Sequence, residues 1–139
     1  MKVKPGERFS ETIKLTPEDA SAFALAARDR NPIHHDPDAA ARSRYQRLTA
    51  SGSQTMARLM ALSANYFSEL GYMVGLEFSV KFHRPVYADD TIHLEWVVMS
   101  SQYSNLLKGE VVELSGRIEN SAKEKVVSAK GRVLLMSEA

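Results

Sequence analysis

The chain has 139 residues, 44% of them hydrophobic and 25% charged, with a net charge of +1. That balance fits one soluble globular domain over 1–139, large enough to bury a core, and speaks against a nucleic-acid partner, since no run of four Lys or Arg occurs and the aromatics are not interleaved with basic residues. Cysteine is absent, which excludes disulfides, thiolate chemistry and Cys-ligated metals and fits a cytoplasmic location. The opening MKVKPGERFS lacks the apolar centre of a secretion signal. No apolar run nears the roughly 20 residues of a membrane-spanning helix, so no membrane insertion is expected.

In chain order, ERFSETIKL alternates, with Phe9, Glu11 and Ile13 on one side, and predicts a short strand. TPED starts a helix: Thr16 is the N-cap, Pro17 suits the first position, and Glu18 and Asp19 favour the positive end of the dipole. Phe23, Ala26 and Ala27 form its apolar face, and Pro32 stops it. Asp36 and Pro37 open a short helix running to about Ser43, and QRLTASGS is an irregular connection. The segment from Ser53 to Leu70 is the strongest helix. Met56, Leu59, Met60, Ser63, Phe67 and Leu70 recur at helical spacing, and only a stripe near Arg58, Asn65 and Glu69 is solvated. Gly71 is its expected C-cap.

Beyond Gly71 the period changes to two. Leu76, Phe78, Val80 and Phe82 share one face; so do Ile92, Leu94, Trp96 and Val98, and again Val112, Leu114, Gly116 and Ile118. KVVSAKGRVLLM makes a last strand to about Met136, with HRPVYADD and ENSAKE as turns. One apolar face per strand means an antiparallel sheet. The fold class is therefore α+β: about five antiparallel strands wrapped around one long helix, which should be mostly buried. The open sheet edges call for a homodimer.

RDRNPIHHDP, residues 28–37, gathers Asp29, Asn31, His34, His35 and Asp36 around Pro32. On a continuous helix Asp29 and His34 would lie roughly 140° apart and could not meet. A break at Pro32 lets His34 fold back toward Asp29, while Asn31 bonds nearby backbone and holds the turn. The same residues equally suit a polar helix end with exposed histidines. A metal site is a third option, but adjacent side chains of an extended segment point opposite ways, and no HExxH or EF-hand spacing occurs. Ser51 and Ser53 flank Gly52 without making a G-x-S-x-G elbow.

DRNPIHHDPDAA resembles the hydratase-2 motif of the MaoC-like dehydratases, the (R)-specific enoyl-CoA hydratases, which reads roughly Asp-x-Asn-Pro-hydrophobic-His-x-Asp-Pro. FSETIKLTPEDASAFA and FHRPVYADDTI are similar to two further segments of that family, so the likeness covers about residues 9 to 135. It implies a dimeric hot-dog fold and reversible addition of water to the trans-2,3 double bond of an enoyl thioester. The substrate would be carried on CoA or an acyl carrier protein, with no metal or other cofactor. Asp29 and His34 would be the catalytic pair. Gly52, at the start of the long helix, would donate its N–H to the thioester oxygen, with Asn31 and Ser51 positioning. The chain departs from the family where Arg28 replaces a frequent Gly and Ser51 a usual His. Arg28 would then crowd the pocket or pair with a charge on the ligand. A hot-dog module that binds acyl-CoA without turnover, a heterodimer partner subunit and a thioesterase are the rival readings. His83 and His93 read as solvated or interface histidines, and the Met56, Met60 and Phe67 stripe as core. Lys81, Arg84, Arg117, Lys130 and Arg132 read as solvated strand residues able to contact phosphates, Arg84 foremost.

Overall fold

The computed structural model describes residues 3–137. Met1 and Lys2, which open the segment read for a secretion signal, and the last two residues of the 1–139 span lie outside the described residues. The chain forms β1 (Arg8–Lys14), α1 (Pro17–Ala26), a 3-10 turn (Pro32–His34), α2 (Pro37–Arg42), α3 (Gly52–Ser68), β2 (Tyr72–Phe82), β3 (Thr91–Ser104), β4 (Gly109–Glu119) and β5 (Lys125–Met136). The strands pair antiparallel throughout, in the order β1-β3-β4-β5-β2.

The alternation in β3 becomes the core. Ile92, Leu94, Trp96 and Val98 are 0–1% exposed, and in β4 Val112, Leu114 and Ile118 are buried beside them. Gly116 pairs with Trp96 across the sheet. A Cβ at Gly116 would stand 2.5 Å from the Trp96 ring, so only glycine lets the indole lie flat there. The indole Nε1–H donates to the Leu59 carbonyl of α3 at 2.8 Å, tying the long helix to this face of the sheet. One helix laid on a five-stranded antiparallel sheet is the hot-dog arrangement that the resemblance implies. The N-terminal segment is fastened to the same helix. Phe9 stacks on Tyr66 with ring centroids 4.0 Å apart, and the Tyr66 hydroxyl donates to Glu7 at 2.8 Å. That bond, with burial and the Glu7 charge adding, raises the Tyr66 pKa above the usual tyrosine value.

Tertiary packing corrects several local expectations. In α1 the buried residues are Ala20 and Ala24; Phe23 is only half-buried, and Ala26 and Ala27 are exposed. Ser51 is the N-cap of α3, its hydroxyl accepting from the Gln54 N–H at 3.1 Å. The buried stripe of α3 runs through Thr55, Leu59, Leu62, Ser63 and Phe67. Met60 is 38% exposed and leaves the expected stripe, while Leu62 joins it. Arg58, Asn65 and Glu69 are solvated as expected, but Ala61 is exposed with them, so α3 is covered on one side rather than mostly buried. The Ser63 hydroxyl satisfies itself on the Met60 carbonyl at 2.7 Å. Gly71 is not a left-handed C-cap: Gly6 is the one described glycine at positive φ. A Cβ at Gly71 would lie 2.5 Å from the Met136 carbonyl, so glycine serves the close passage of β5. β2 is an edge strand whose register shifts between Gly75 and Glu77. Phe78 and Val80 pack partly on the core, but Leu76 and Phe82, expected on the same apolar face, are exposed. Among the described residues no helix is long and apolar enough to cross a membrane.

Candidate active site

The site begins where α1 ends, and the end is set by Arg28 rather than Pro32. Ala27 is still helical, Arg28 takes the left-handed conformation at φ 62°, and the Asp29 N–H then bonds back to the Ala24 carbonyl at 2.7 Å. A side chain in this conformation is strained where glycine is not. Arg28→Gly is therefore expected to raise stability by up to about 1 kcal/mol. Urea unfolding followed by circular dichroism checks this, and a lower midpoint would contradict it.

Pro32 instead opens the 3-10 turn Pro32–His34. The Asn31 side chain caps this turn by accepting from the Ile33 N–H at 3.4 Å, and Asp29 Oδ1 accepts from the Asn31 N–H at 3.0 Å. The two side chains thus hold the bend from both ends. The bend brings His34 Nε2 to 3.6 Å from Asp29 Oδ2. This is too long for a direct hydrogen bond and close enough for one water to bond both. His34 is buried and Asp29 about one-third exposed. His34 Nδ1 lies 2.7 Å from the Thr49 carbonyl. A carbonyl only accepts, so Nδ1 carries the proton, and in the neutral ring Nε2 offers a lone pair toward Asp29.

Thr49 is held in turn. Its N–H donates to the Ile33 carbonyl at 3.1 Å, and its neighbours Leu48 and Ala50 bond to Ala88 and Val86 of the β2–β3 connection. This short ladder delivers the chain into Ser51 and the start of α3. A cavity of about 270 Å³ opens here, lined by Ile33, His34, Tyr45, Thr49, Gly52, Phe82 and Arg84 among others. Asp29 is not among its lining residues; its link to the cavity is the His34 ring. Gly52 is the first residue of α3, where backbone N–H groups have no carbonyl inside the helix to bond and the dipole is positive. The Phe82 ring lies over Gly52, so a Cβ there would be 2.9 Å from the ring edge.

The structure therefore links Asp29, Asn31, His34 and Thr49 to one another, and His34, Thr49 and Gly52 share the lining of the cavity. Ser51 stands beside them, buried, with its hydroxyl engaged at the helix cap. Arg84 lines the cavity while pairing with Glu124 at 3.2 Å. Arg28 is exposed. Away from the site, His83 bonds Ser128 at 2.7 Å and His93 bonds Thr12 at 2.9 Å across the sheet. Sequence patterns gave no role to Thr49 or His35. Thr49 lies 15 residues from the histidine it orients, with no local signal. His35 turns away from His34 and bonds the Asp29 carbonyl and Ser21; the doubled histidine of IHHD was its one visible mark.

The fold has parallels in known proteins. An R-hydratase, PhaJ1, from Pseudomonas aeruginosa, solved in the unliganded form, is 26% identical and superposes with a TM-score of 0.85, covering 98% of this chain and 84% of that one. The (R)-hydratase from A. caviae involved in PHA biosynthesis gives the same TM-score, 0.85, at 22% identity, covering 96% and 97% of the two chains; at that identity it speaks for the fold. A mitochondrial 3-hydroxyacyl-[acyl-carrier-protein] dehydratase of Arabidopsis thaliana is 28% identical over 90 residues, which is 65% of this chain and 52% of that protein. The chain thus spans about half the length of the curated relative it matches. The model of the MaoC like domain matches residues 2–120, from the N-terminal segment through β4 and so across every residue of the site. With that match over most of its length, the chain belongs to the MaoC-like domain family.

Proposed function

We propose that this chain is a hydro-lyase that adds water to trans-2-enoyl thioesters, and removes it from (R)-3-hydroxyacyl thioesters, carried on CoA or an acyl carrier protein. The observation that carries the proposal is the 3.6 Å approach of Asp29 Oδ2 and His34 Nε2 beside a cavity into which the first residue of α3 opens. Family membership and the hydratase and dehydratase relatives support it.

In this reading one water bonds Asp29 and His34 together. As its oxygen attacks C3, one of the pair takes a water proton, and C2 receives a proton from the site, so that H and OH are added and nothing is left over. Negative charge grows on the thioester oxygen as C3 is attacked. The Gly52 N–H, free of any intrahelical partner and at the positive end of a 17-residue helix, is the donor to meet it. Thr49 keeps the His34 proton on Nδ1, which leaves Nε2 able to accept.

The experiment is a series of trans-2-enoyl-CoA substrates of increasing chain length. Loss of the conjugated double bond and formation of the (R)-alcohol are expected with at least one member. Stabilisation by acyl-CoA with no turnover across the series would favour a non-catalytic binding module, and free thiol from saturated acyl-CoA would favour a thioesterase.

The working unit in this proposal is a homodimer. β2 ends the sheet with an unpaired edge and exposes Tyr72, Val74 and Leu76 along it, a surface that a second copy would extend and cover. Sedimentation should give twice the 15.5 kDa chain mass; a monomer at micromolar concentration would count against it.

A further inference from the structure

We propose that His35 is a positioning residue: with Ser21 of α1 it clamps the main chain of Asp29, so that the carboxylate is held with one oxygen facing His34. The inference rests on the role given to Asp29 above.

His34 and His35 are neighbours in sequence and hold the same aspartate from two sides. His34 faces the carboxylate. His35 Nε2 lies 2.8 Å from the Asp29 carbonyl oxygen, and its Nδ1 lies 2.8 Å from the Ser21 hydroxyl. The carbonyl only accepts, so Nε2 carries a proton. In the neutral ring Nδ1 must then accept from the Ser21 O–H. In the charged ring Nδ1–H donates to the same oxygen, because a hydroxyl turns either way. The clamp therefore holds in both states, and it is a fixed brace rather than a pH switch.

The effect on Asp29 follows from counting its polar groups. Its N–H is bonded to the Ala24 carbonyl at 2.7 Å, its carbonyl accepts from His35, and its Oδ1 accepts from the Asn31 N–H at 3.0 Å. Oδ1 is thereby anchored to the turn, and Oδ2 is the oxygen turned to His34 and a shared water. Without His35, the residue after the left-handed Arg28 keeps its N–H anchor but can swing its carbonyl, and the carboxylate swings with it. His35 is half-buried between the turn and α1, where a competing water is partly excluded. In the motif Asp-x-Asn-Pro-hydrophobic-His-x-Asp this residue occupies the unspecified place between the histidine and the second aspartate.

The test compares wild type, His35→Leu, His35→Gln and Ser21→Ala on the enoyl thioester that the wild type hydrates, alongside long-range 1H–15N spectra of the imidazoles. His35→Leu fills the space without a donor and is expected to lower kcat roughly tenfold or more with KM changed less than about twofold, since misplacing a reacting group by about 1 Å costs up to about 10²-fold. His35→Gln carries an amide N–H to the same carbonyl and should restore most of the loss. Wild-type kcat in the leucine variant, or equal losses in the leucine and glutamine variants, would overturn the proposal. Should His35→Leu fail to fold, Ser21→Ala releases the ring from α1 without emptying the site and should lower kcat by about threefold; an unchanged kcat counts against the brace. If the wild type turns over no enoyl thioester, the hydro-lyase reading falls, and the spectra still decide the clamp. The His34 Nε2 resonance should move in His35→Leu and return in His35→Gln, and an unmoved resonance rejects it.

Discussion

Replacing Asp29 with asparagine is expected to lower kcat for enoyl thioester hydration by a factor on the order of 10² or more, with little change in stability. Asparagine has the same shape and keeps an oxygen for the Asn31 N–H, so the turn survives. What it loses is the capacity to take a proton. His34→Ala should cost a similar factor in kcat, but it also removes the 2.7 Å bond to the Thr49 carbonyl and empties a buried position. Its stability should fall by about 1–3 kcal/mol, the cost of a buried polar group left unpaired. Activity must therefore be read at a temperature where the variant is folded. The double variant separates a shared water from independent roles. If both groups hold one water, removing the second after the first costs little more, and the combined loss is far below the product of the single losses. Multiplying losses would mean that each acts alone, and full turnover in both single variants would remove the pair from the mechanism.

Trp96→Ala should cost about 3–5 kcal/mol, the usual range for truncating a large buried aromatic. Against a total of about 5–15 kcal/mol for an ordinary domain, that is about a fifth of the stability or more. Trp96 has no exposed surface, lies against Gly116 and Gly131, meets Phe78 with ring centroids 6.0 Å apart and bonds the Leu59 carbonyl. Trp96→Phe keeps most of the apolar contact and loses the bond to α3, so it should cost less than the alanine variant, with the missing hydrogen bond itself worth about 1 kcal/mol. Unfolding in urea, followed by circular dichroism because this is the one tryptophan of the chain, measures both. An alanine variant within about 1 kcal/mol of wild type would mean that the sheet and α3 do not depend on this contact.

Much of this was legible in one dimension. Ile92, Leu94, Trp96 and Val98 alternate because one face of β3 is covered and the other is not, and that pattern survives whatever the strand pairs with. Thr16, Asp36 and their following prolines mark helix starts because capping is settled within four residues. The meeting of Asp29 and His34 was readable because Asn31-Pro32 marks a turn between them, although it is Arg28, not Pro32, that ends the helix. Two of the wrong details depended on a neighbour far along the chain. Gly71 looked like a cap until β5 was seen to pass it; Met60 looked like core until the sheet covered Leu62 instead. Arg28 hid the end of α1, because arginine gives no local sign of a left-handed backbone.

By itself the sequence determined the class of fold, the position of the bend, and the kinds of side chain gathered at it, because periodicity, capping and proline geometry act between residues a few places apart. The tertiary structure decided which nitrogen of His34 is protonated, which side of α3 is buried, and which groups hold Asp29 still. Those outcomes turn on Thr49, Trp96 and Ser21, partners 14 to 37 residues away from the groups they fix. Hydrogen bonds and packing are set by distance in space, and folding alone brings such partners within reach.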